Sequence, residues 1–261
     1  MPKKSTHKKQ TKKTADQYDN DNYNYLKYWQ GRDYEHASEE LAIRRLLKGM
    51  HFNHAVDIGG GYGRLCVLLK EYADTVTLAE PSQTQLDIAK EYLKDYPDVN
   101  IVKMQADDLQ FEPGSVDLFT MIRVMHHLPD PSVEFSQIAK ALHDNGCLVL
   151  EMANYAHGRN RLKHLAKAQR LPKQPVDIRS KKNKREEEIP FVNHNPKTVI
   201  RQLAHAGLKV DRVLSVSNLR SSGVKKVVPQ SVMLRLETLL QPALARSYFG
   251  PSVFFLIRKA K

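Results

Sequence analysis

The sequence predicts an α/β fold in which helices cover both faces of a doubly wound, mostly parallel sheet. Strand-length apolar runs alternate with amphipathic helical patterns along most of the chain, which is typical of successive βαβ units. One of the apolar runs leads directly into a glycine-dense turn and then a helical pattern, as at the start of such a unit. A length of 261 residues fits one domain with additional segments.

The predicted elements follow one another in a regular order. A helix is predicted at 39–50, where apolar residues recur at helical spacing. Strands are predicted at 54–58, 75–79, 99–104, 116–122, 146–152, 208–217 and 252–258. Further helices are predicted at 62–72, 83–95, 132–143, 196–206 and near 230–240. A glycine follows the 196–206 helix, and Asn195 before Pro196 predicts its N-terminal cap.

The net charge of +12 is concentrated in two segments. Residues 1–14 contain six lysines and no acid, and residues 157–190 contain eleven Lys and Arg against four acids, which leaves the remainder almost neutral. We therefore predict a disordered basic tail at 1–20 and one domain at 21–261. That domain begins with an aromatic and helical lid at 21–50. The basic insertion at 157–190 is predicted to form a helix at 159–170 and a flexible loop at 173–188.

Composition makes several classes of protein improbable. No apolar run is long enough to span a bilayer, so we predict no membrane partner. The polar, lysine-rich N-terminus argues against a secretory signal and favours a cytoplasmic protein. Cys66 and Cys147 both lie in apolar patterns, which indicates reduced packing residues. No Cys and His set has the spacing of a metal site, so no metal is predicted.

The strand at 54–58 ends at a turn built on Gly59, Gly61 and Gly63, where a ligand can approach the backbone closely. The next strand ends in Glu80, at the distance where nucleotide-binding units place an acid that accepts hydrogen bonds from ribose hydroxyls. Asp57 precedes the turn and suits a positive amino group better than a pyrophosphate. The ligand that fits has a ribose and an ammonium but no phosphate, as S-adenosylmethionine does.

Four motifs in order resemble the class I S-adenosylmethionine-dependent methyltransferases of the type 11 branch. They are Val56-Asp-Ile-Gly-Gly-Gly-Tyr-Gly63, Leu78-Ala-Glu-Pro-Ser82, Ala106-Asp-Asp-Leu-Gln-Phe111 and Ile122-Arg-Val-Met-His-His-Leu-Pro-Asp-Pro131. The resemblance implies a Rossmann-like sheet whose last strand runs antiparallel to its neighbours. It also implies that S-adenosylmethionine is the cofactor.

The resemblance also implies contacts with the cofactor. Asp57, Gly59, Gly61 and Gly63 would surround the methionine end, and Glu80 with Pro81 would bind the ribose. Gln105 and Ala106 stand beside the adenine, and Gln105 departs from the usual aspartate while keeping an acceptor oxygen. Arg123 would face the cofactor or only cap the sheet edge. Arg32 in the lid would suit the methionine carboxylate, because a guanidinium binds a carboxylate through two parallel hydrogen bonds.

The same edge of the sheet should hold the acceptor. His126 and His127 are candidate general bases because histidine titrates near neutral pH, although this turn can equally be a structural floor under the cofactor. Asn154, Tyr155 and His157 leave the fifth strand where an acceptor would be oriented, or form only a polar turn. Tyr28 belongs to the aromatic lid, which would cover cofactor and substrate or simply pack on the core.

The favoured function is transfer of a methyl group to a small-molecule acceptor, including one that carries a phosphate or carboxylate. One alternative is an RNA-directed methyltransferase that uses the basic tail and insertion to hold phosphates. A second alternative is a scaffold that binds S-adenosylmethionine without catalysis. No basic groove interleaved with aromatic residues is evident, which favours the small acceptor over RNA. The oligomeric state does not follow from the sequence.

Overall fold

The computed structural model describes Trp29, residues 31–185 and residues 189–260. Its strands are β1 (Phe52–Ile58), β2 (Ala73–Glu80), β3 (Val99–Lys103), β4 (Val116–Met121), β5 (Leu142–Ala153), β6 (Val176–Asp177), β7 (Val192–Asn193), β8 (Leu208–Val216) and β9 (Ser252–Lys259). Its α-helices are α1 (Asp33–Leu46), α2 (Cys66–Leu69), α3 (Gln83–Tyr92), α4 (Ser132–Ala141), α5 (Gly158–Ala166), α6 (Lys181–Arg185), α7 (Pro196–His205), α8 (Ser222–Val227) and α9 (Gln230–Ala243). Met125–His127 and Ala245–Ser247 form short 3-10 turns.

Seven of the strands form one sheet in the order β3-β2-β1-β4-β5-β9-β8. Strands β1 to β5 pair in parallel, and β9 lies antiparallel between β5 and β8. The doubly wound sheet and the antiparallel last strand are therefore confirmed. The strand order reverses beside β1, and in open α/β sheets that reversal opens a crevice beyond the carboxyl ends of the strands.

Apolar side chains cover both faces of the sheet because successive residues of a strand point in opposite directions. In β1, Ala55 joins the cluster that packs against α1 and α2, whereas Val56 joins the cluster that packs against α4 and α7. Phe119 and Phe135 are among the largest fully buried side chains of the second cluster. Two buried layers hold the sheet rigid, which fixes the loops at its carboxyl edge.

The basic insertion contains more regular structure than the sequence predicts. The predicted helix is present as α5, but the segment predicted as a flexible loop contains β6 and α6 within its described part. Strand β6 pairs antiparallel with β7, and His194 beyond β7 bridges to Asn154 beyond β5. Two-residue strands leave no periodic signal in a sequence, because tertiary contacts rather than local preference hold them.

Several boundaries also differ from those predicted. Helix α1 starts six residues before the predicted 39–50 helix and ends at Leu46. The predicted 62–72 helix keeps regular α-helix only at Cys66–Leu69, because the preceding glycines have positive φ angles. Strand β5 begins at Leu142, four residues early, and α8 was not predicted. No helix among the described residues is both long and apolar enough to cross a membrane.

Candidate functional site

The turn after β1 needs glycine for steric reasons. Gly59, Gly61 and Gly63 have φ angles of 61°, 61° and 81°, in the left-handed region that side chains disfavour. A Cβ at Gly59 would lie 2.6 Å from Val124 Cγ2, so the turn is packed against the segment after β4. The chain therefore brings the β1 and β4 loops together around a compact backbone turn.

Glu80 lies at the end of β2 with its carboxylate held against this turn. Its Oε2 accepts a hydrogen bond from the Gly61 amide and its Oε1 accepts one from the Ser82 amide, both at 2.9 Å. The residue is only 6% exposed. Ser82 also caps α3 by accepting from the Gln85 amide, and the half-buried Pro81 stands between the two residues. The acid and the glycine turn predicted to act together are thus adjacent, with the carboxylate fixed by backbone donors.

Asp57 is a buried acid with half of its carboxylate unsatisfied. Thr120 Oγ1 donates to Oδ1 at 2.6 Å, whereas the buried Oδ2 has no hydrogen-bond partner among the described residues. Burial raises the pKa of Asp57 to about 6, against the opposing effects of the Thr120 hydrogen bond and the Arg64 charge. A buried acceptor of this kind favours a ligand that brings an N–H donor or a positive charge.

A second acid, Glu39 of α1, connects two arginines at the edge of the sheet. Arg64 Nη2 donates to its Oε2 at 2.8 Å, and Arg123 Nε donates to its Oε1 at 2.7 Å. The Trp29 ring covers both guanidinium groups, at 3.9 Å from the Arg64 carbon and 4.7 Å from that of Arg123. Burial opposes ionisation of Glu39, but Arg123 and Arg64 hold its pKa below the usual value.

Sequence reasoning identified Arg123 but missed Glu39 and Arg64. A signal for Glu39 was present, because it precedes Ala42, Ile43 and Leu46 by three, four and seven positions, on the buried face of α1. A charged residue in that position predicts a buried ion partner. No comparable signal in the sequence indicated that Arg64 and Arg123 would be the partners of Glu39.

Arg123 also has an unusual backbone conformation. Its φ angle is 61°, which is costly for a residue with a side chain. Its amide donates to Glu151 Oε2 at 3.1 Å, and Ser252 Oγ donates to Glu151 Oε1 at 2.6 Å. Burial raises the pKa of Glu151. The Glu151 carboxylate, itself held by Ser252 of β9, therefore accepts from the amide of a residue in a strained conformation, and such strain is common at functional sites.

The two histidines after β4 lie in different environments. His126 is buried, and that burial holds its pKa well below the usual value, so the ring is neutral at physiological pH. The His126 ring lies 4.4 Å from the ring of Phe191 and 4.0 Å from that of His127. His127 Nδ1 donates to the Pro190 carbonyl at 2.9 Å, and His194 Nε2 donates to the Met125 carbonyl at 2.9 Å. The end of the insertion therefore packs directly on this turn.

The residues predicted after β5 divide into two groups. The buried Asn154 uses its amide for bracing: Nδ2 donates to the Tyr248 and Gly250 carbonyls, each at 2.7 Å, and Oδ1 accepts from the Ala156 amide at 2.8 Å. Tyr155 and His157 are half-buried, and Tyr155 Oη lies 3.3 Å from His164 Nε2. Burial lowers the pKa of His157, with Arg220 and Arg159 adding to the effect. Tyr155 and His157 therefore stay predicted acceptor contacts, whereas the side chain of Asn154 holds the loop together.

The remaining predicted contacts lie around the rim. Gln105 is exposed just beyond β3, and the half-buried Ala106 packs against the core. Arg32 is half-buried at the N-terminus of α1. Tyr28 lies outside the described residues. The predicted cap of α7 is confirmed, because Asn195 Oδ1 accepts from the Lys197 amide at 3.1 Å.

Comparison with other sequences gives a match over the central part of the chain. Residues 56–150 match the family described as a methyltransferase domain. A Dictyostelium discoideum protein named as a methyltransferase is 32% identical over 96 residues, which are 37% of this chain and 35% of that protein. The chain thus matches about a third of the length of that relative.

Solved structures match over more of the chain. An S-adenosylmethionine-dependent methyltransferase from Listeria monocytogenes has a TM-score of 0.61 and 15% identity, covering 88% of this chain and 100% of its own. A chain from the Haloferax volcanii complex between the Trm112 methyltransferase activator and a methyltransferase has a TM-score of 0.60 and 16% identity, covering 90% and 93%. At these identities the similarity shows the fold.

Proposed function

We propose that the chain, whose residues 56–150 match a methyltransferase domain, transfers a methyl group from S-adenosylmethionine to a small-molecule acceptor. The observation that carries this proposal is the pair of acids at the glycine turn. Glu80 presents a carboxylate fixed by two amides, and Asp57 presents an unsatisfied buried oxygen. The two match the ribose hydroxyls and the ammonium of the cofactor.

Arg64 and Arg123 support recognition of the carboxylate in the methionine part of the cofactor. Arg64 and Arg123 share the one carboxylate of Glu39, and burial raises the pKa of the neighbouring Glu151. Two guanidinium groups that share one carboxylate keep further N–H donors for an anion. We assign the methionine carboxylate to Arg123 with Arg64 beside it, and Arg32 remains a second candidate. Gln105 and Ala106 would stand beside the adenine.

Methyl transfer from a sulfonium is an in-line displacement, for which the bound cofactor supplies an electrophilic methyl group. The protein has to align the acceptor and, where the attacking atom carries a proton, remove that proton. His126 is the candidate base because its ring is neutral, and the hydrogen bond from His127 to Pro190 would keep the adjoining ring in place. Tyr155 and His157 would orient the acceptor.

The region around His126, where the acceptor would bind, favours a small or acidic molecule. Phe191, the first residue after the insertion, packs on His126 and therefore narrows the space above the turn. The insertion that precedes it is rich in cations, which suits a phosphate or a carboxylate on the acceptor. RNA is the second candidate, favoured by the row of exposed cations on α5.

Cofactor binding tests the first part of the proposal. Calorimetric titration should show that the wild-type chain binds S-adenosylmethionine and S-adenosylhomocysteine. Glu80→Ala should weaken both by on the order of tenfold to a hundredfold, because a charged hydrogen-bond acceptor to the ribose is lost. Glu91→Ala, which removes an exposed acid of α3, is the matched control and should bind normally. Wild-type protein that binds neither compound would refute the proposed function.

A methyl-transfer assay distinguishes the small-molecule acceptor, the RNA acceptor and the non-catalytic scaffold. Transfer of a labelled methyl group to pooled metabolites but not to total RNA would support the small-molecule acceptor, and the reverse would support RNA. Once an acceptor is known, His126→Gln should lower kcat by about a hundredfold or more while leaving cofactor affinity unchanged. Cofactor binding without transfer to either pool would favour the scaffold.

A further inference from the structure

Helix α5 exposes apolar side chains in its C-terminal half. Gly158 is its only buried residue, whereas Leu162 and Leu165 are 68% and 76% exposed. With Ala166 they are spaced by three and four residues, so they lie on one side of the helix. A helix in a folded domain normally buries such a stripe. Nothing in the described part of the chain covers this one.

A row of cations runs beside the apolar stripe. Arg159, Lys163 and Lys167 recur every four residues, and Arg170 and Lys173 continue the positive charge beyond the helix. All five are exposed, and among the described residues none of them forms an ion pair. The sequence contains no acid between Glu151 and Asp177, so α5 and the segment that follows it carry only positive formal charges.

We propose that α5 docks on an anionic lipid surface. Leu162 and Leu165 would enter the boundary between headgroups and acyl chains, while Arg159, Lys163 and Lys167 contact lipid phosphates. Exposed apolar and cationic residues on adjacent arcs of one helix are the features of an interfacial helix. An RNA strand would use the cations but leave both leucines in water, and α5 has no Phe, Tyr or Trp on which bases could stack.

The position of α5 connects this surface with the candidate acceptor site. The helix follows directly after Tyr155 and His157, and its first amide, that of Gly158, donates to the Phe249 carbonyl at 2.9 Å. A Cβ at Gly158 would overlap the Phe249 ring, so the two segments are tightly packed. Docking would bring the residues that precede α5, Tyr155 and His157, close to the lipid surface. This consequence rests on the proposed function, and it selects an amphiphilic acceptor held at a membrane surface.

The sequence predicts no membrane partner because it contains no spanning segment. A helix that lies in the headgroup region needs no such segment, since only one of its faces leaves water. The docking proposal therefore concerns a peripheral contact, and it is independent of cofactor binding.

Sedimentation with vesicles tests the docking. The full chain is mixed with vesicles of phosphatidylcholine alone and with vesicles that also contain phosphatidylglycerol. It should sediment with the second kind only, and added salt should weaken the binding. The double variant Leu162→Ala/Leu165→Ala should bind at least about tenfold more weakly, although it keeps every charge of the chain. Lys163→Gln should weaken binding about fivefold.

The lysine-rich segment at residues 1–14 can itself attract anionic vesicles, and the leucine variant controls for this because it leaves that segment intact. Leu239→Ala is the matched control, since Leu239 is 69% exposed on α9 without a row of cations beside it. It should bind like the wild type. Undiminished binding by the double leucine variant would overturn the proposal. So would retention on single-stranded RNA that Lys163→Gln weakens while vesicle binding stays unchanged.

Discussion

Asp57 illustrates how a binding residue can cost stability while the site is empty. Its pKa rises from 3.8 in an ordinary environment to about 6 in the folded chain, because burial penalises the carboxylate. A raised pKa means that the folded state holds the proton more tightly. This residue therefore lowers stability as pH increases from about 4 to about 6, and the loss persists at neutral pH.

Asp57→Asn should consequently stabilise the ligand-free protein at pH 7. The shift corresponds to about 3 kcal/mol, because one unit of pKa is worth about 1.4 kcal/mol. Thermal unfolding should show a higher Tm for the variant at neutral pH, and the difference should disappear below about pH 3, where the aspartate is protonated in both states. A variant less stable than wild type at neutral pH would contradict the buried, unsatisfied carboxylate.

The same carboxylate makes cofactor affinity depend on pH. The ammonium of S-adenosylhomocysteine pairs with ionised Asp57, so affinity should fall by up to about tenfold per unit as pH drops below 6. The Arg64 charge and the Thr120 hydrogen bond also act on Asp57, and both favour its ionised form. Titration calorimetry should show this slope in the wild type and none in Asp57→Asn. Equal slopes would assign the effect to another group.

At the scale of the element, the Glu39 carboxylate links α1 to the loops at the sheet edge. Glu39→Gln would leave Arg64 and Arg123 without their anionic partner in a buried site, which typically costs about 3–5 kcal/mol. Trp29 is the only tryptophan of the chain and lies against both guanidinium groups. Its fluorescence emission should shift towards the red in the variant, in parallel with a lower Tm.

A second ion pair on the same helix provides the comparison. Arg44 of α1 pairs with Glu71, and both side chains are about half exposed. Glu71→Gln should therefore change neither Tm nor the emission of Trp29 by much, because exposed ion pairs contribute little. If Glu39→Gln and Glu71→Gln changed the Tm and the Trp29 emission equally, Glu39 would contribute no more to stability than an exposed ion pair does.

At the scale of the whole molecule, the two thiols should report global unfolding. Cys66 and Cys147 are fully buried on the same face of the sheet, and burial raises the pKa of Cys66 well above its usual value and that of Cys147 to about 12. A thiol reagent should react with neither in native buffer, because the reactive form is the thiolate. The reaction rate should rise with urea in step with the loss of circular dichroism. Rapid reaction of one thiol in native buffer would instead reveal local opening.

The sheet could be predicted because its signals are local. Strand-length apolar runs and helical spacing arise from geometry within a few residues, and a parallel sheet with helices on both faces follows from their alternation. The glycine turn, Glu80 and the Asn195 cap could be predicted for the same reason, because neighbouring positions in the sequence indicate the role of each. The boundaries of α1 and α2 were less accurate, since packing and backbone angles decide where a helix ends.

The sequence by itself determined the α/β fold, the match of residues 56–150 to a methyltransferase domain and the acids beside the glycine turn. Only the tertiary structure decided how these charges are partnered. Arg123 meets Glu39 across 84 positions and Glu151 across 28, and Phe191 covers His126 from the far side of an insertion. Local spacing cannot encode such contacts, because they form only when the sheet brings distant loops to one edge. The buried environment that shifts the pKa of Asp57 and His126 likewise exists only in the folded chain.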